Sequence, residues 1–313
     1  MTYIINMNIT ETTLKGLNNE PKPYVKYNAP RPINKNLPPM WFCAIMCSVK
    51  GAGKTFSCVN LIQNYIDSGI VDPTDNERMI PRVIYLSPTA TSKQNSILNT
   101  LGDYLDDQDI YEDVDEAVVK KVFDDLVLEK NKIEDIEKYV KTYKKFLKVD
   151  IKKLSYTEIF LLSTYDFEDP KILFKDVLYT KPRVPFVIFD DLISNPIFSN
   201  KRSNFINWWT IRHRHISKTT VPCNMIFITQ NLKSISSVLR KQCDLWVLFK
   251  NPNRKKLIEQ VWDEVSGSGV SIEQFTKYFD YICEQKFGSL IISCHKDDHI
   301  PVRMGWNIKL SMD

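Results

Sequence analysis

Hydrophobic residues along the chain form short continuous runs, and helix-like amphipathic segments separate them. A run that is apolar at every position is typical of a strand buried on both faces of a sheet. Strands of this kind, alternating with helices, favour an α/β fold with a mostly parallel sheet. The five runs cover residues 41–47, 82–86, 184–189, 225–229 and 245–249.

Two segments show helical spacing clearly. In the first, apolar residues from Val59 to Ile66 recur at helical intervals, and Gly69 is a plausible C-terminal stop. In the second, Ile133, Ile136, Val140, Tyr143 and Leu147 step by three and four, which predicts an amphipathic helix. After 251 the pattern predicts a helix at 257–265, a turn at 266–269, another helix, and strand-like runs at 289–293 and 301–309.

Composition places the chain among ordinary globular proteins. It has 313 residues, of which 43% are hydrophobic and 26% are charged, so rods, collagens and disordered tails are excluded. We find neither an apolar run long enough for a membrane helix nor a secretory signal. The seven cysteines are an odd number in apolar contexts, which is typical of reduced intracellular thiols.

Candidate chemistry starts at the loop between the first apolar run and the first helix. The P-loop pattern, G-x-x-x-x-G-K-[ST], surrounds phosphates with backbone N–H groups and a helix N-terminus. Gly53, Lys54 and Thr55 match this pattern, whereas Ser48 occupies its first glycine position, and Gly51 can supply flexibility further along. The predicted nucleotide-binding residues are Ser48, Val49, Lys50, Gly51, Ala52, Gly53, Lys54, Thr55 and Phe56.

Two later strands also end in polar residues. The third apolar run ends in Asp190 and Asp191, and the fourth ends in Thr229 followed by Gln230. Because α/β sheets bind ligands at the carboxyl ends of their strands, we expect these groups to meet the P-loop. Asp190 would orient Mg²⁺ together with Thr55, Asp191 would act as general base, and Gln230 would sense the γ-phosphate.

A P-loop, a strand ending in two aspartates, an R-H-x-x-I-S stretch and a strand ending in T-Q follow one another along the chain. In this order they resemble the FtsK–HerA-type genome-packaging ATPases of large DNA viruses, virophages and related mobile elements, whose poxvirus-type branch is the best known. The resemblance covers roughly 40–100 and 180–250, whereas 101–180 looks like an insertion. It implies a P-loop NTPase (RecA/ASCE-like) α/β fold and an ATPase that uses ATP and Mg²⁺.

The resemblance also implies partners and further site residues. Such enzymes are homo-oligomeric rings, here a hexamer or pentamer, that translocate double-stranded DNA at a packaging vertex beside a capsid or membrane protein. A chain of this kind would work in the host cytoplasm, in a viral factory or in association with the virion. Arg212 and His213 match the family's R-H dipeptide, which Arg214 and His215 repeat, and Arg240 is a third candidate for an arginine acting in trans.

Charge is divided unevenly along the chain, although the formal net charge is only +4. Residues 201–256 contain twelve Lys or Arg and a single acid, Asp244, whereas 101–119 contain eight acids and no base. Concentrated positive charge favours polyanion binding through counterion release. We therefore expect DNA to contact 201–256, with a solvated basic face as the alternative.

The predicted organisation has three parts. Residues 1–39 form an extended proline-rich arm, 40–250 the ATPase core with a charged helical insertion at about 101–180, and 251–313 a C-terminal extension of helices and a β-hairpin. A helicase or conjugation-type ATPase remains an alternative, as does a non-enzymatic, nucleotide-binding capsid-associated protein. A GTPase switch would need an N-K-x-D motif, which the sequence lacks.

Overall fold

The computed structural model describes residues 29–90, 96–175, 181–192, 195–199, 204–251, 254–265, 270–285 and 288–311. Its strands are β1 (Arg31–Pro32), β2 (Cys43–Cys47), β3 (Ile70–Val71), β4 (Arg78–Met79), β5 (Pro81–Leu86), β6 (Ile110–Tyr111), β7 (Val184–Asp190), β8 (Asn224–Thr229), β9 (Leu245–Phe249), β10 (Ser289–Ser293), β11 (Val302–Met304) and β12 (Ile308–Lys309). Its α-helices are α1 (Lys54–Ser68), α2 (Ser96–Leu101), α3 (Glu116–Phe146), α4 (Tyr156–Ser163), α5 (Pro170–Leu173), α6 (Phe205–Arg212), α7 (Ser237–Gln242), α8 (Arg254–Val265) and α9 (Ile272–Glu284).

A nine-stranded sheet organises these elements in the order β12-β11-β10-β9-β2-β8-β7-β5-β6. The strands from β9 to β6 are mutually parallel, and β10, β11 and β12 continue the sheet as an antiparallel meander. The parallel strands thus share a carboxyl edge, where they end, and an amino edge, where they begin. The predicted fold class, a mostly parallel α/β sheet flanked by helices, is confirmed.

Both faces of the sheet are buried, which explains the uninterrupted apolar runs. Along β2, Ile45 faces one core together with α3, α6, α8 and α9, whereas Ala44 and Met46 face a second core with α1 and α2. Successive strand side chains point to opposite faces, so a strand covered on both sides needs apolar residues at every position. The described helices include none that is both long and apolar enough to span a bilayer.

The C-terminal region departs from its predicted pattern in one detail. The strand-like run at 301–309 is not one strand but two, because the turn at Gly305 separates β11 from β12. The helix predictions agree better, since Gly69 is the C-cap of α1, and α8 ends at Val265. The predicted turn at 266–269 and most of the proline-rich arm, 1–28, lie outside the described residues.

The segment predicted to be an insertion, 101–180, is built on α3, a helix of 31 residues that runs past the amino edge of the sheet. At its middle Lys130 donates hydrogen bonds to the carbonyl oxygens of Ser217 and Thr220, just before β8 begins. Beyond that point α3 packs on α4 and α5 around a small core of its own. That core contains Tyr139, Leu154 and Leu162.

Buried ion pairs fasten α3 to the sheet. Arg82 at the start of β5 donates to Asp109 at 2.6 and 2.8 Å and also pairs with Glu129 of α3. Arg183, just before β7, donates to the same Glu129 and to Asp106. The charged sequence of the insertion therefore pairs with arginines of the core at the amino edge.

We predict that Asp109→Ala lowers the free energy of unfolding by about 3 kcal/mol, because it leaves part of the buried Arg82 charge without a partner. Arg254→Ala, which removes an exposed pair with Asp280, should cost less than about 1 kcal/mol. Urea denaturation of the two variants and the parent measures the difference. Equal losses would show that the buried network does not fasten the insertion.

Candidate nucleotide-binding site

The three polar strand ends meet at the carboxyl edge of the sheet. In the strand order, β8 lies between β2 and β7, and all three are parallel. Cys47 pairs with Thr229, and Ile228 pairs with Asp190, so the strands end almost level. The loop after β2, the acidic pair after β7 and Gln230 after β8 are therefore neighbours.

Glycine is required in the loop by its backbone conformation. Gly51 and Gly53 have φ of +78° and +95°, in the left-handed region that side chains disfavour. An added Cβ would meet no atom within 4 Å at either glycine, so the requirement is conformational rather than steric. Gly53 is the N-cap of α1, whose first residue is Lys54.

Ser48 is accommodated without strain at the position where the pattern has glycine. Its φ is not positive, so this position does not need glycine's conformational freedom. Its hydroxyl donates to the Lys250 carbonyl oxygen at 3.1 Å, and its N–H donates to the Thr229 carbonyl oxygen at 3.2 Å. The serine thereby ties the start of the loop to the ends of β8 and β9.

The Lys54 ammonium lies beneath the loop. Its Nζ donates to the carbonyl oxygens of Ser48 and Val49 at 2.8 and 2.9 Å. Burial lowers the pKa of Lys54, and the negative charges of Asp190 and Asp191 partly oppose that shift. A buried cation held in this way is available to an anion that enters the loop.

The two aspartates have different surroundings. Asp190 is 8% exposed, and Tyr85 donates to its Oδ2 at 3.0 Å. Burial raises the pKa of Asp190 to about 6, and the neighbouring Asp191 adds to the rise. Asp191 is exposed, has a φ of +52°, and accepts a hydrogen bond from Gln230 Nε2 at 2.8 Å.

The site contains suitable donors for a magnesium ion. Mg²⁺ binds in proteins through one or two carboxylates together with waters and substrate phosphates. Asp190 is a buried carboxylate, and a bound divalent cation would lower its raised pKa. Thr55 follows Lys54 in the first turn of α1. The described residues contain no cluster of three or more His, Cys, Asp or Glu side chains that could hold a metal by themselves.

Two of the three candidate arginines lie near the amino edge, away from the loop. Arg214 donates to the Trp41 carbonyl oxygen and pairs with buried Asp244, which in turn accepts from the Cys43 N–H. Arg212, at the end of α6, stacks on the Trp208 ring, with its Cζ 4.6 Å from the ring centroid. Within one chain, neither side chain is brought to the acidic pair.

The remaining predicted residues have structural contacts of their own. Arg240 pairs with Glu264 at 3.1 Å and donates to the Ile235 carbonyl oxygen, which fixes the loop after β8. His213 is buried, its Nδ1 lies 2.6 Å from the Thr210 carbonyl oxygen, and burial lowers its pKa to about 4. Its Nε2 lies 3.0 Å from the Trp41 carbonyl oxygen, so a neutral His213, with one ring N–H, can donate to only one of the two carbonyl oxygens.

Sequence reasoning missed Tyr85 as a member of the site. No motif marks it, since it is one apolar position in the second buried run. Strand alternation was the available signal, because Tyr85 and Val83 share the α1 face of the sheet while Ile84 and Leu86 share the other. A tyrosine near the end of such a strand can deliver its hydroxyl to an adjacent strand end.

Comparisons with known proteins gave structural neighbours only. No family profile and no curated protein matches the sequence. The DNA-packaging ATPase from Sulfolobus turreted icosahedral virus aligns over 85% of this chain and 97% of its own, with 11% identity and a TM-score of 0.45. The conjugation coupling protein TcpA of pCW3 aligns over 80% of this chain and 56% of its own, with 10% identity and a TM-score of 0.42.

We predict that Asp190→Asn raises the free energy of unfolding at pH 8 by about 1–3 kcal/mol. The folded-state pKa of Asp190, about 6, exceeds its unfolded value of 3.8, so wild-type stability from this group falls as pH rises through that window. The advantage of the variant should therefore be largest above pH 6 and vanish near pH 4. Denaturant titrations at pH 8 and pH 4 measure it, and a stability gain that did not change with pH would contradict the assignment.

Proposed function

We propose that the protein is an ATP-hydrolysing motor that translocates double-stranded DNA and packages a viral genome into a capsid. The observation that carries the ATPase part is the convergence of loop, acidic pair and glutamine on three adjacent parallel strands. Phosphoryl transfer depends mainly on correctly positioned charges. The described site has a cation, two carboxylates and an amide together at the carboxyl edge of the sheet. The DNA-packaging part rests on the order of motifs in the sequence.

Each residue has a defined role in this proposal. Lys54 would contact the β- and γ-phosphates, and Thr55 and Asp190 would hold Mg²⁺, which would supply positive charge to the phosphates. Asp191 accepts a proton from the attacking water, and Gln230, which already donates to Asp191 Oδ1, orients that water against the γ-phosphate. Because Asp190 must be ionised to bind a metal and its pKa without metal is about 6, the affinity for Mg²⁺ should fall as pH drops below 6.

Among the three arginine candidates, Arg212 is the best placed to act in trans. Arg214 and Arg240 are each committed to a carboxylate of their own chain. Within the described part of the chain Arg212 has no ion pair, and its guanidinium rests on the Trp208 ring. In a ring, an arginine far from its own nucleotide site could reach the site of the adjacent subunit.

The basic segment 201–256 does not form one surface. Lys218 lies before β8, near the amino edge, whereas Lys233 follows β8 at the carboxyl edge. Three arginines of the segment form ion pairs with carboxylates of the same chain, namely Arg214, Arg240 and Arg254. A run of positive residues in sequence is thus divided between opposite edges of the sheet.

A denser basic surface lies at the far end of the insertion, which we define as the lysine tip, residues 138–153. It has seven lysines and one acid, Asp150, and all seven lysines are exposed. Within the described residues two of these lysines, Lys141 and Lys145, have carboxylate partners. The other five are Lys138, Lys144, Lys148, Lys152 and Lys153. We place the main DNA contact here, because closely spaced cations release the most counterions.

We predict that Lys54→Ala lowers ATP hydrolysis at least about 100-fold, because the charge that contacts the phosphates is lost. The fold should remain, because the other losses are two hydrogen bonds to loop carbonyl oxygens. Phosphate release measures activity, and circular dichroism checks the fold. Lys35→Ala, which removes an exposed lysine elsewhere, serves as the control. Retained turnover in the Lys54 variant would refute the nucleotide site, and Mg-ATP binding without turnover in the wild type would favour a non-enzymatic role.

A pair of matched variants tests the DNA surface. The first replaces five tip lysines with Gln, and the second replaces five exposed lysines of the 201–256 segment. The sets are Lys138, Lys144, Lys148, Lys152 and Lys153, and Lys218, Lys233, Lys241, Lys255 and Lys256. The tip variant should lose more affinity for a fluorescent duplex. The slope of log K against log salt concentration should become shallower by up to about 4.5, because each of five phosphate contacts contributes about 0.9.

Anisotropy titrations at several salt concentrations, and ATPase assays with and without duplex DNA, complete this test. Equal losses in the two variants would refute the lysine tip as the main contact. Absence of stimulation by duplex DNA at any salt would count against translocation itself. A strand-displacement assay distinguishes a helicase, because a double-strand translocase should not unwind its substrate.

A further inference from the structure

The strand order indicates in which direction a bound nucleotide must extend, given the proposed ATPase function. Asp191 and Gln230 lie on the β8 side of the loop, and β9 pairs with β2 on the other side. A triphosphate whose terminal phosphate faces Asp191 and Gln230 therefore directs its nucleoside toward β9. The surface beyond β9 at the carboxyl edge is where a base and ribose would lie.

A groove opens at that place. It begins at Gly53, has a volume of about 780 Å³, and runs between α1 and the turn that joins β11 to β12. That volume is within the roughly 300–1,000 Å³ of sites that hold small molecules. Phe249, the last residue of β9, and Ser289, the first of β10, line its inner part.

One wall of the groove carries an exposed aromatic ring. Phe56 follows Thr55 in the first turn of α1, lines the groove, and is 66% exposed. Exposing so much apolar surface beside a polar loop is costly, and a planar base that stacks on the ring would remove it from water. Further along the same helix the lining includes Asn60 and Asn64.

The opposite wall is held in place by a tryptophan. Trp306 Nε1 donates to the Ser57 carbonyl oxygen at 2.9 Å and lies 3.1 Å from Ser57 Oγ. The Gly305 N–H donates to the Ser289 carbonyl oxygen at 2.9 Å. These bonds fix the β11–β12 turn against α1, and they leave Asn307 exposed at the rim of the groove.

Side-chain amides supply polar groups around the groove. Asn60, Asn64 and Asn307 make no side-chain hydrogen bond in the described structure, and each amide offers both a donor and an acceptor. The edge of a purine presents donors and acceptors of the same kind, and a ribose presents hydroxyls. An aromatic face with amides around it is chemically suited to a nucleoside rather than to a phosphate.

We propose that this groove binds the nucleoside of ATP, with the base stacked on Phe56 and the turn 305–307 as the second wall. The C-terminal meander is then part of the ligand site and not only an extension of the sheet. The inference rests on the proposed nucleotide-binding function, and it adds a residue, Asn307, that no sequence motif marks.

The test compares ligands with and without a nucleoside. Calorimetry gives Kd for Mg-ATP, Mg-ADP and inorganic tripolyphosphate with wild type, Phe56→Ala and Asn307→Ala. Phe56→Ala should weaken ATP and ADP about tenfold and change tripolyphosphate less than twofold, and Asn307→Ala should weaken the nucleotides several-fold. Tyr281→Ala removes another exposed aromatic, outside the groove, and should change none of the three.

The possible results separate the groove from the nucleotide site. The proposal that the groove binds the nucleoside would be overturned if Phe56→Ala weakened the binding of ATP and tripolyphosphate equally, or weakened neither. If the wild-type protein bound tripolyphosphate as tightly as ATP, the nucleoside proposal would be overturned and the proposed phosphate site would stand. Wild-type protein that binds neither would overturn the proposed function and the groove with it.

Discussion

The level ending of three parallel strands is the constraint on which the rest of the structure depends. With β8 between β2 and β7, the acidic pair after β7 is separated from the loop after β2 by one strand. Packing against both faces fixes the register of these strands, because a shift of one residue would move every side chain to the opposite face. The helices of the two cores therefore serve the site indirectly, by fixing that register.

The buried strands and their polar ends were predictable because each left a local signal. An apolar run of five to seven residues identifies a strand whichever face it covers, and glycines at 51 and 53 identify a left-handed loop. The sequence also predicts part of the strand order, because polar residues at three strand ends can form one site only if those strands are neighbours. The candidate residues at the carboxyl edge were therefore found from sequence alone.

Features that depend on tertiary pairing could not be found in this way. Nothing in the sequence says that Arg214 pairs with Asp244, or that Arg240 pairs with Glu264, because those partners are 30 and 24 residues apart. Charge counts along the sequence likewise do not give the positions of the charges in space. The segment 201–256 crosses the sheet, so its cations separate, whereas 138–153 is a helix end and turn whose cations stay together.

The tryptophan of the β11–β12 turn has a consequence for the order of biosynthesis. Trp306 emerges from the ribosome about 250 residues after Lys54, and at 5–20 residues per second that is a delay of roughly 10–50 s. During this delay the loop and the acidic strand can already be made, but the wall that contacts Ser57 cannot. If the loop binds phosphates and the groove binds the nucleoside, as proposed, a nascent chain would bind ATP more weakly than the complete protein, and stabilisation by ATP would increase once the meander has docked.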